Sequence, residues 1–269
     1  MRLFHDRAII GDIAGSRFEW HNHRSKQFDL LASDCFFTDD SIMSLAVCDA
    51  LLHCRPDYSN LSQQAVISMQ TIGRPYPDCG YGGRFWNWMY SDHPRPYNSF
   101  GNGAAMRVSG CEYAGDSLEE VKKLSRAVTE VTHNHPEGLK GAEATAVAVY
   151  LARTGKSKDE IRRYITKNYY PVDFTLDDIR NIYQFNETCQ DTVPQAMEAF
   201  FESTDFEDAI RNAVLIGGDS DTIACMAGGI AQAYYRRIPD GIKERALTYL
   251  DIGLKTTIRR FAMKFRQDV

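Results

Sequence analysis

The stretch Thr38-Asp39-Asp40-Ser41-Ile42-Met43-Ser44-Leu45-Ala46-Val47-Cys48-Asp49-Ala50-Leu51 decides how the chain is read. Met43, Ala46, Val47, Ala50 and Leu51 recur at the i, i+3, i+4, i+7, i+8 spacing that lines one face of an α-helix. The spacing predicts a buried helix, with two carboxylates and a hydroxyl clustered at its start. Helix capping alone accounts for such a start, because Thr and Asp are favoured N-caps and acidic groups complement the helix dipole there.

Outward from this helix the same periodicity dominates. Pro136 suits a first helical turn, and the Ala-rich run from Glu137 to Ala152 continues it to a stop at Thr154-Gly155. Asp159 to Lys167, Leu176 to Thr188, Pro194 to Glu202, Phe206 to Leu215 and Ile223 to Tyr235 also read as helices, and Ile242 to Arg266 as one or two more. Alternating strand patterns are scarce. The exception is Arg74 to Gly103, where Pro and Gly punctuate a stretch rich in Tyr, Trp and Phe; it reads as a long ordered loop of the kind that covers or lines a site. No internal repeat shows, so the expectation is one all-α domain over residues 1–269.

Composition narrows the function. Hydrophobic residues make up 43% and charged residues 25% of 269, ordinary globular usage. The net charge of −5 gives no general basic excess for phosphate-backbone binding, and no apolar run is long enough to span a membrane. Seven cysteines without a C-x-x-C pair read as reduced thiols of a cytoplasmic protein.

A second acidic set, Gly217-Gly218-Asp219-Ser220-Asp221-Thr222, precedes another small-residue helix. A cap needs one oxygen, whereas both segments offer two carboxylates and a hydroxyl. The Gly pair supplies the positive-φ freedom that would let Asp219 and Asp221 converge. Oxygen-only donors suit Mg²⁺ or Mn²⁺, and four carboxylates repel one another unless two divalent ions compensate them.

The chain resembles the ADP-ribosylglycohydrolase family. The resemblance rests on Gly11-Asp12-Ile13-Ala14-Gly15-Ser16-Arg17-Phe18-Glu19, Thr38-Asp39-Asp40-Ser41, Ser99 through Arg107, Thr132-His133 and Gly217 through Thr222, in family order from about Ile9 to Tyr235. It implies an all-α fold around a binuclear Mg²⁺ or Mn²⁺ centre held by Thr38, Asp39, Asp40, Asp219, Asp221 and Thr222. Ser41 stands where the family usually has Thr, a departure outside the main ligands. Glu19 matches a family glutamate on a mobile loop near the scissile bond, and Asp12 is a weaker candidate.

The same resemblance favours ligand binding over a plain turn for Gly101-Asn102-Gly103 and places His133 near the ADP-ribose. His135 reads as a helix-entry residue, while Met106 and Arg107 anchor the segment that follows. In the aromatic loop, Tyr81 could stack on the adenine or cover the site, and Asp78 could meet a cationic leaving group such as arginine. The expected activity is hydrolysis of the glycosidic bond between ADP-ribose and an acceptor, with Glu19, Asp40 and Asp219 as catalytic candidates. The expected substrate is an ADP-ribosylated protein, with a modified nucleic-acid base as the alternative, acted on by a monomer. Two rivals stand beside this: a haloacid-dehalogenase-like phosphatase, suggested by Ala213-Val214-Leu215-Ile216 before Asp219-x-Asp221-x, and a non-catalytic ADP-ribose-binding relative.

Overall fold

The structure, a computed structural model, describes residues 7–265. Among them the chain forms α1 (Arg7–Gly15), α2 (Asp39–His53), α3 (Leu61–Gly73), α4 (Gly83–Tyr90), α5 (Gly103–Met106), α6 (Cys111–Ala114), α7 (Leu118–Thr129) and α8 (Pro136–Arg153). It continues as α9 (Lys158–Asn168), α10 (Leu176–Ile179), α11 (Cys189–Phe201), α12 (Phe206–Ile216), α13 (Ser220–Tyr235), α14 (Asp240–Tyr249) and α15 (Ile252–Lys264). The described residues contain no β-strand, only an isolated antiparallel bridge between Gly101 and Thr188. Asp219 therefore joins two helices instead of ending a strand, which removes the phosphatase alternative.

Helix α13 is the axis of the molecule. Every residue from Ser220 to Ala233 is buried, with α1, α8, α11 and α12 packed around it. A helix enclosed on all sides must let neighbouring backbones approach closely, and small side chains do this. A Cβ on Gly11 would lie 2.0 Å from the Ala224 carbonyl oxygen, and one on Gly15 would lie 2.4 Å from that of Ser220. These paired glycines set α1 directly against the first turns of α13. Helix α2 is likewise enclosed by α1, α3 and α15, with Ile42 to Cys48 buried without interruption. One hydrophobic cluster runs from Ala8 to Phe261, and each buried Ile, Leu or Phe in it contributes about 1.5–3 kcal/mol.

Several sequence expectations change. The aromatic loop contains α4, whose Phe85, Trp88 and Met89 face the core while Trp86 and Tyr90 stay exposed. The helix expected from Leu176 to Thr188 stops at Ile179. Its carbonyls are taken up by Arg24, which donates to the oxygens of Arg180 and, at 2.7 Å, Tyr183. Helix α11 starts at Cys189 and holds Pro194 in its interior. That start is fixed by tertiary pairing: Cys189 N–H donates to Phe100 O (3.0 Å) and Asn102 N–H to Glu187 O (2.7 Å). All seven cysteines are free, and no described helix is long and apolar enough to cross a membrane.

Candidate active site

A cleft of about 270 Å³ opens where α2 and α13 begin. Its lining gathers Glu19, Asp39, Asp40, Asp219, Asp221 and Thr222 with the Gly101–Gly103 segment and His133, groups that the sequence scatters over two hundred residues.

The carboxylate side is organised from beneath by Asp12. Fully buried on α1, it accepts hydrogen bonds from Thr38 N–H (3.0 Å), the Thr38 hydroxyl (2.7 Å), Ser41 N–H (3.1 Å) and the Ser41 hydroxyl. Serine in place of the family's Thr keeps the hydroxyl this contact uses. Thr38 also caps α2 by accepting from Asp40 N–H. Its hydroxyl thus donates to Asp12 and accepts from Asp40 N–H, which leaves one lone pair, and Thr38 lies outside the cleft lining. Asp39 and Asp40 are spared from capping and free for other work.

In the second acidic set Asp219 makes no side-chain bond to the first turn of α13, and only Asp221 bonds there, accepting from Thr222 N–H at 3.0 Å. Gly217 and Gly218 take φ of +70° and +77°, and this left-handed pair turns the chain so that Asp219 and Asp221 enter the cleft. Asn102 donates to Asp219 at 2.6 Å, and Thr222 donates to Asp40 at 3.0 Å, tying the two helix starts together. Carboxylate oxygens of Glu19, Asp219 and Asp221 lie within 4.8 Å of one another.

So much negative charge in so little water raises every carboxyl of the cluster. Burial, then Asp221 and Asp12, hold Asp39 and Asp40 well above the ordinary range. Burial and Asp219 do the same to Asp221. Asp12 and Asp219 rise to about 6 through burial, moderated by their hydrogen bonds. Glu19 rises to about 8 through burial and the charges of Asp221, Asp12 and Glu187. Asp40 Oδ1 is buried without a hydrogen-bond partner. An unpartnered buried carboxylate oxygen amid other carboxylates fits a hard cation, and the all-oxygen donor set selects the same class.

Glu19 arrives differently, at the end of a 3-10 turn (Ser16–Phe18) and the head of a long irregular segment. That segment is strapped down: Asn22 accepts from Gly218 N–H (2.8 Å), Arg24 donates to Ile216 O (2.7 Å), and Trp20 stacks on Phe185 with centroids 4.8 Å apart.

The opposite wall carries donors. His133 is buried, its Nδ1 2.9 Å from Arg107 Nη2 and 2.7 Å from Thr132 Oγ1. Burial, then Arg107 and Arg84, keep its ring well below the ordinary histidine range, so it is neutral. His135 caps α8 through Nδ1, which accepts from Glu137 N–H, as expected. Two expectations fall away. Asp78 is exposed and outside the cleft, and Tyr81 turns inward, with its ring 5.6 Å from that of Phe85 and its hydroxyl donating to Gly73 O. The lining also includes Arg84, Phe85, Tyr97 and Ser99, from the loop expected to line a site though not singled out in it, and Phe185 and Glu187, which were not anticipated. Phe185 and Glu187 come from a segment whose sequence imitates a helix, and Arg84 from one read as loop.

A model of the ADP-ribosylglycohydrolase family matches residues 8–268. The chain belongs to that family. This ADP-ribosylglycohydrolase is accordingly a hydrolase. It is 26% identical to the human ADP-ribosylhydrolase ARH3 over 304 aligned positions, covering 85% of this chain and 83% of the relative. It is 27% identical over 255 positions to the ADP-ribosylarginine hydrolase Tri1 of Pseudomonas putida, covering 84% and 68%. A solved structure described as an ADP-ribosylglycohydrolase-related protein complex superposes with a TM-score of 0.69 at 22% identity, over 96% of this chain and 95% of that one, which establishes the shared all-α fold.

Proposed function

We propose that this ADP-ribosylglycohydrolase cleaves the glycosidic bond between ADP-ribose and an acceptor group on a protein, releasing ADP-ribose. One observation carries the reading. Five carboxylates, Glu19, Asp39, Asp40, Asp219 and Asp221, meet in a single cleft opposite a glycine-flanked backbone segment and a neutral histidine. The acidic side suits cations that grip a ribose diol, and the donor side suits the phosphates and sugar beyond it.

Two divalent ions, Mg²⁺ or Mn²⁺, would be held by Asp39, Asp40, Asp219, Asp221 and Thr222, while Thr38 and Asp12 brace that set from behind. When bound, such ions supply charge neutralisation and Lewis acidity toward sugar hydroxyls and water. The chain's own groups do the rest. Asp40 or Asp219 accepts the proton of the attacking water, and Glu19 gives one to the departing acceptor as the bond to the anomeric carbon breaks. The oxocarbenium-like charge that develops there is favoured by the surrounding carboxylates. Asn102 orients Asp219, and His133 with the Gly101–Gly103 backbone fixes the rest of the ligand. Seven unpaired thiols fit a reducing compartment, so we assign the enzyme to the cytoplasm.

The test is release of free ADP-ribose from substrates joined through arginine, serine, other side chains or a nucleic-acid base, with and without Mg²⁺. Release from a protein linkage that depends on the cation is the expected result. Release from none of them overturns the assignment and restores the non-catalytic binding protein.

A further inference from the structure

Arg107 was expected to anchor the chain after Met106, yet its surroundings are unusual for an anchor. The residue is 1% exposed, and its described hydrogen-bond partners are both neutral: Nη2 donates to Thr132 Oγ1 at 2.6 Å and to His133 Nδ1 at 2.9 Å. Its Nε is buried without a partner, and its guanidinium carbon lies 5.5 Å from the centre of the Phe85 ring. A buried cation without a carboxylate partner costs several kcal/mol, and its position in a cleft wall gives that cost a use.

The chemistry of the pair fixes the histidine. A guanidinium nitrogen donates and never accepts, so the 2.9 Å contact assigns Nδ1 of His133 as the accepting, unprotonated nitrogen, to which the Thr132 hydroxyl, 2.7 Å away, can also donate. In a neutral ring the proton then sits on Nε2. That nitrogen faces the ligand segment: a Cβ on Gly101 or Gly103 would lie 3.5 and 3.6 Å from it. Burial leaves Arg107 near 10 and therefore still charged at neutral pH, while His133 is kept uncharged.

We propose that Arg107 is a positioning residue that locks His133 in the Nε2–H tautomer, so that the ring presents one polarised donor to a phosphate oxygen of the bound ADP-ribose. Arg107 acts through the imidazole. Its charge draws electron density through Nδ1 and sharpens the Nε2–H donor, much as a direct cation would, while a neutral ring gives up no proton. Thr132 completes the lock, because its oxygen accepts the second Nη2 hydrogen and holds the guanidinium in line. The phosphate assignment rests on the function proposed above; the tautomer assignment does not.

Nitrogen-15 correlation spectra of the histidine side chains, recorded on wild type, Arg107→Lys and Arg107→Met, test both parts alongside calorimetric ADP-ribose titrations. In wild type the His133 signals should show protonated Nε2 and bare Nδ1, with Nε2 moving when ADP-ribose is added. Arg107→Met should give mixed tautomers and weaken ADP-ribose by roughly tenfold or more, the scale of a hydrogen bond to a charged group. Arg107→Lys should restore most of the tautomer preference. If Arg107→Met does not fold, Arg107→Gln, which keeps a polar side chain at the position but removes the charge, should shift the tautomer ratio in the same direction. Protonated Nδ1 in wild type, or an unchanged tautomer and affinity in Arg107→Met, overturns the proposal. An Nε2–H tautomer in a wild type that binds no ADP-ribose sinks the functional reading and the phosphate contact while leaving the lock in place.

Discussion

Thr222 donates its hydroxyl hydrogen bond to Asp40 across 3.0 Å, joining two helix starts that lie 182 residues apart in the sequence. The bond uses Asp40 Oδ2 and leaves Oδ1 bare. It brings α2 and α13 to the cleft as one unit, so their carboxylates crowd together before any ion is present. The repulsion that results would favour uptake of the cations proposed above.

Removal of the cation should therefore stop the enzyme without unfolding it. Chelation, Asp39→Ala and Asp219→Ala should each abolish ADP-ribose release, with far-ultraviolet circular dichroism unchanged, because both side chains serve the cleft and neither caps its helix. Full turnover by either variant in metal-stripped buffer would disprove the role assigned to the cluster.

The role proposed for Glu19 would separate binding from chemistry. Its carboxylate sits close to Asp219 and Asp221 but enters on an irregular segment, with none of the helix-start geometry of the others. Glu19→Gln should slow turnover far more than it weakens Mg²⁺ binding. Calorimetry that finds the same loss of Mg²⁺ affinity in Glu19→Gln and Asp219→Asn would make Glu19 a ligand instead.

The glycine contact between α1 and α13 should be indispensable. A Cβ at position 15 would fall 2.4 Å from Ser220 O and 2.6 Å from Asp221 Cα, both backbone atoms of the helix that carries the site. Gly15→Ala should lower stability by about 1–3 kcal/mol, the range for overpacking a closed interior, and should impair turnover because Asp221 must move. An unchanged melting temperature would mean that the helices can separate more easily than their packing implies.

His133 carries a pH signature. Its ring titrates near 6.5 in the unfolded chain but well below that in the fold, where burial, Arg107 and Arg84 oppose the charge. Below pH 6.5 the unfolded state thus binds the extra proton, and stability falls as pH falls, by at most about 1.4 kcal/mol per pH unit. Asp12, Asp219 and Glu19 act in the opposite sense, since their raised values let the folded state hold protons longer. That contribution is common to wild type and His133→Gln and cancels in the comparison. Urea titrations of the metal-free proteins at pH 7.5 and 5.5 should show the larger acid loss in wild type; equal losses would mean that the ring accepts a proton in the fold.

What could be read in the sequence was local. Gly217-Gly218 announced a turn because only glycine takes positive φ without strain, and His135-Pro136 announced a helix start. The paired Asp-Asp and Asp-x-Asp sets stood out because they exceed what capping needs. What could not be read depended on distant partners. Arg107 gains its role from Thr132 and His133, which a reading of its own neighbourhood does not meet. The segment from Leu176 to Thr188 has helical composition, but Arg24, more than 150 positions earlier, claims the carbonyls that would extend it. Tyr81 and Asp78 looked like site residues because their loop is aromatic and acidic. The loop instead closes over Asp39 through Cys79 O, which accepts from Asp39 N–H at 2.7 Å, and Tyr81 is spent on packing.

The last prediction concerns which part of the ligand meets the acidic side. If the terminal ribose lies on the carboxylate cluster, ADP-ribose should raise the melting temperature far more with Mg²⁺ than in chelator. AMP, which lacks that ribose, should show little such dependence. A ligand present at about a hundredfold above its dissociation constant stabilises the folded state by roughly 2.7 kcal/mol, which is several degrees for a chain of this size. Linkage makes the effect reciprocal, so ADP-ribose should tighten Mg²⁺ binding by the factor by which Mg²⁺ tightens ADP-ribose. AMP controls for contacts on the donor side, where His133 and the Gly101–Gly103 backbone lie and where no cation is needed. Equal shifts with Mg²⁺ and with chelator would place the ribose away from Asp39, Asp40, Asp219 and Asp221, and the proposed mechanism would fail even for a protein that binds ADP-ribose well.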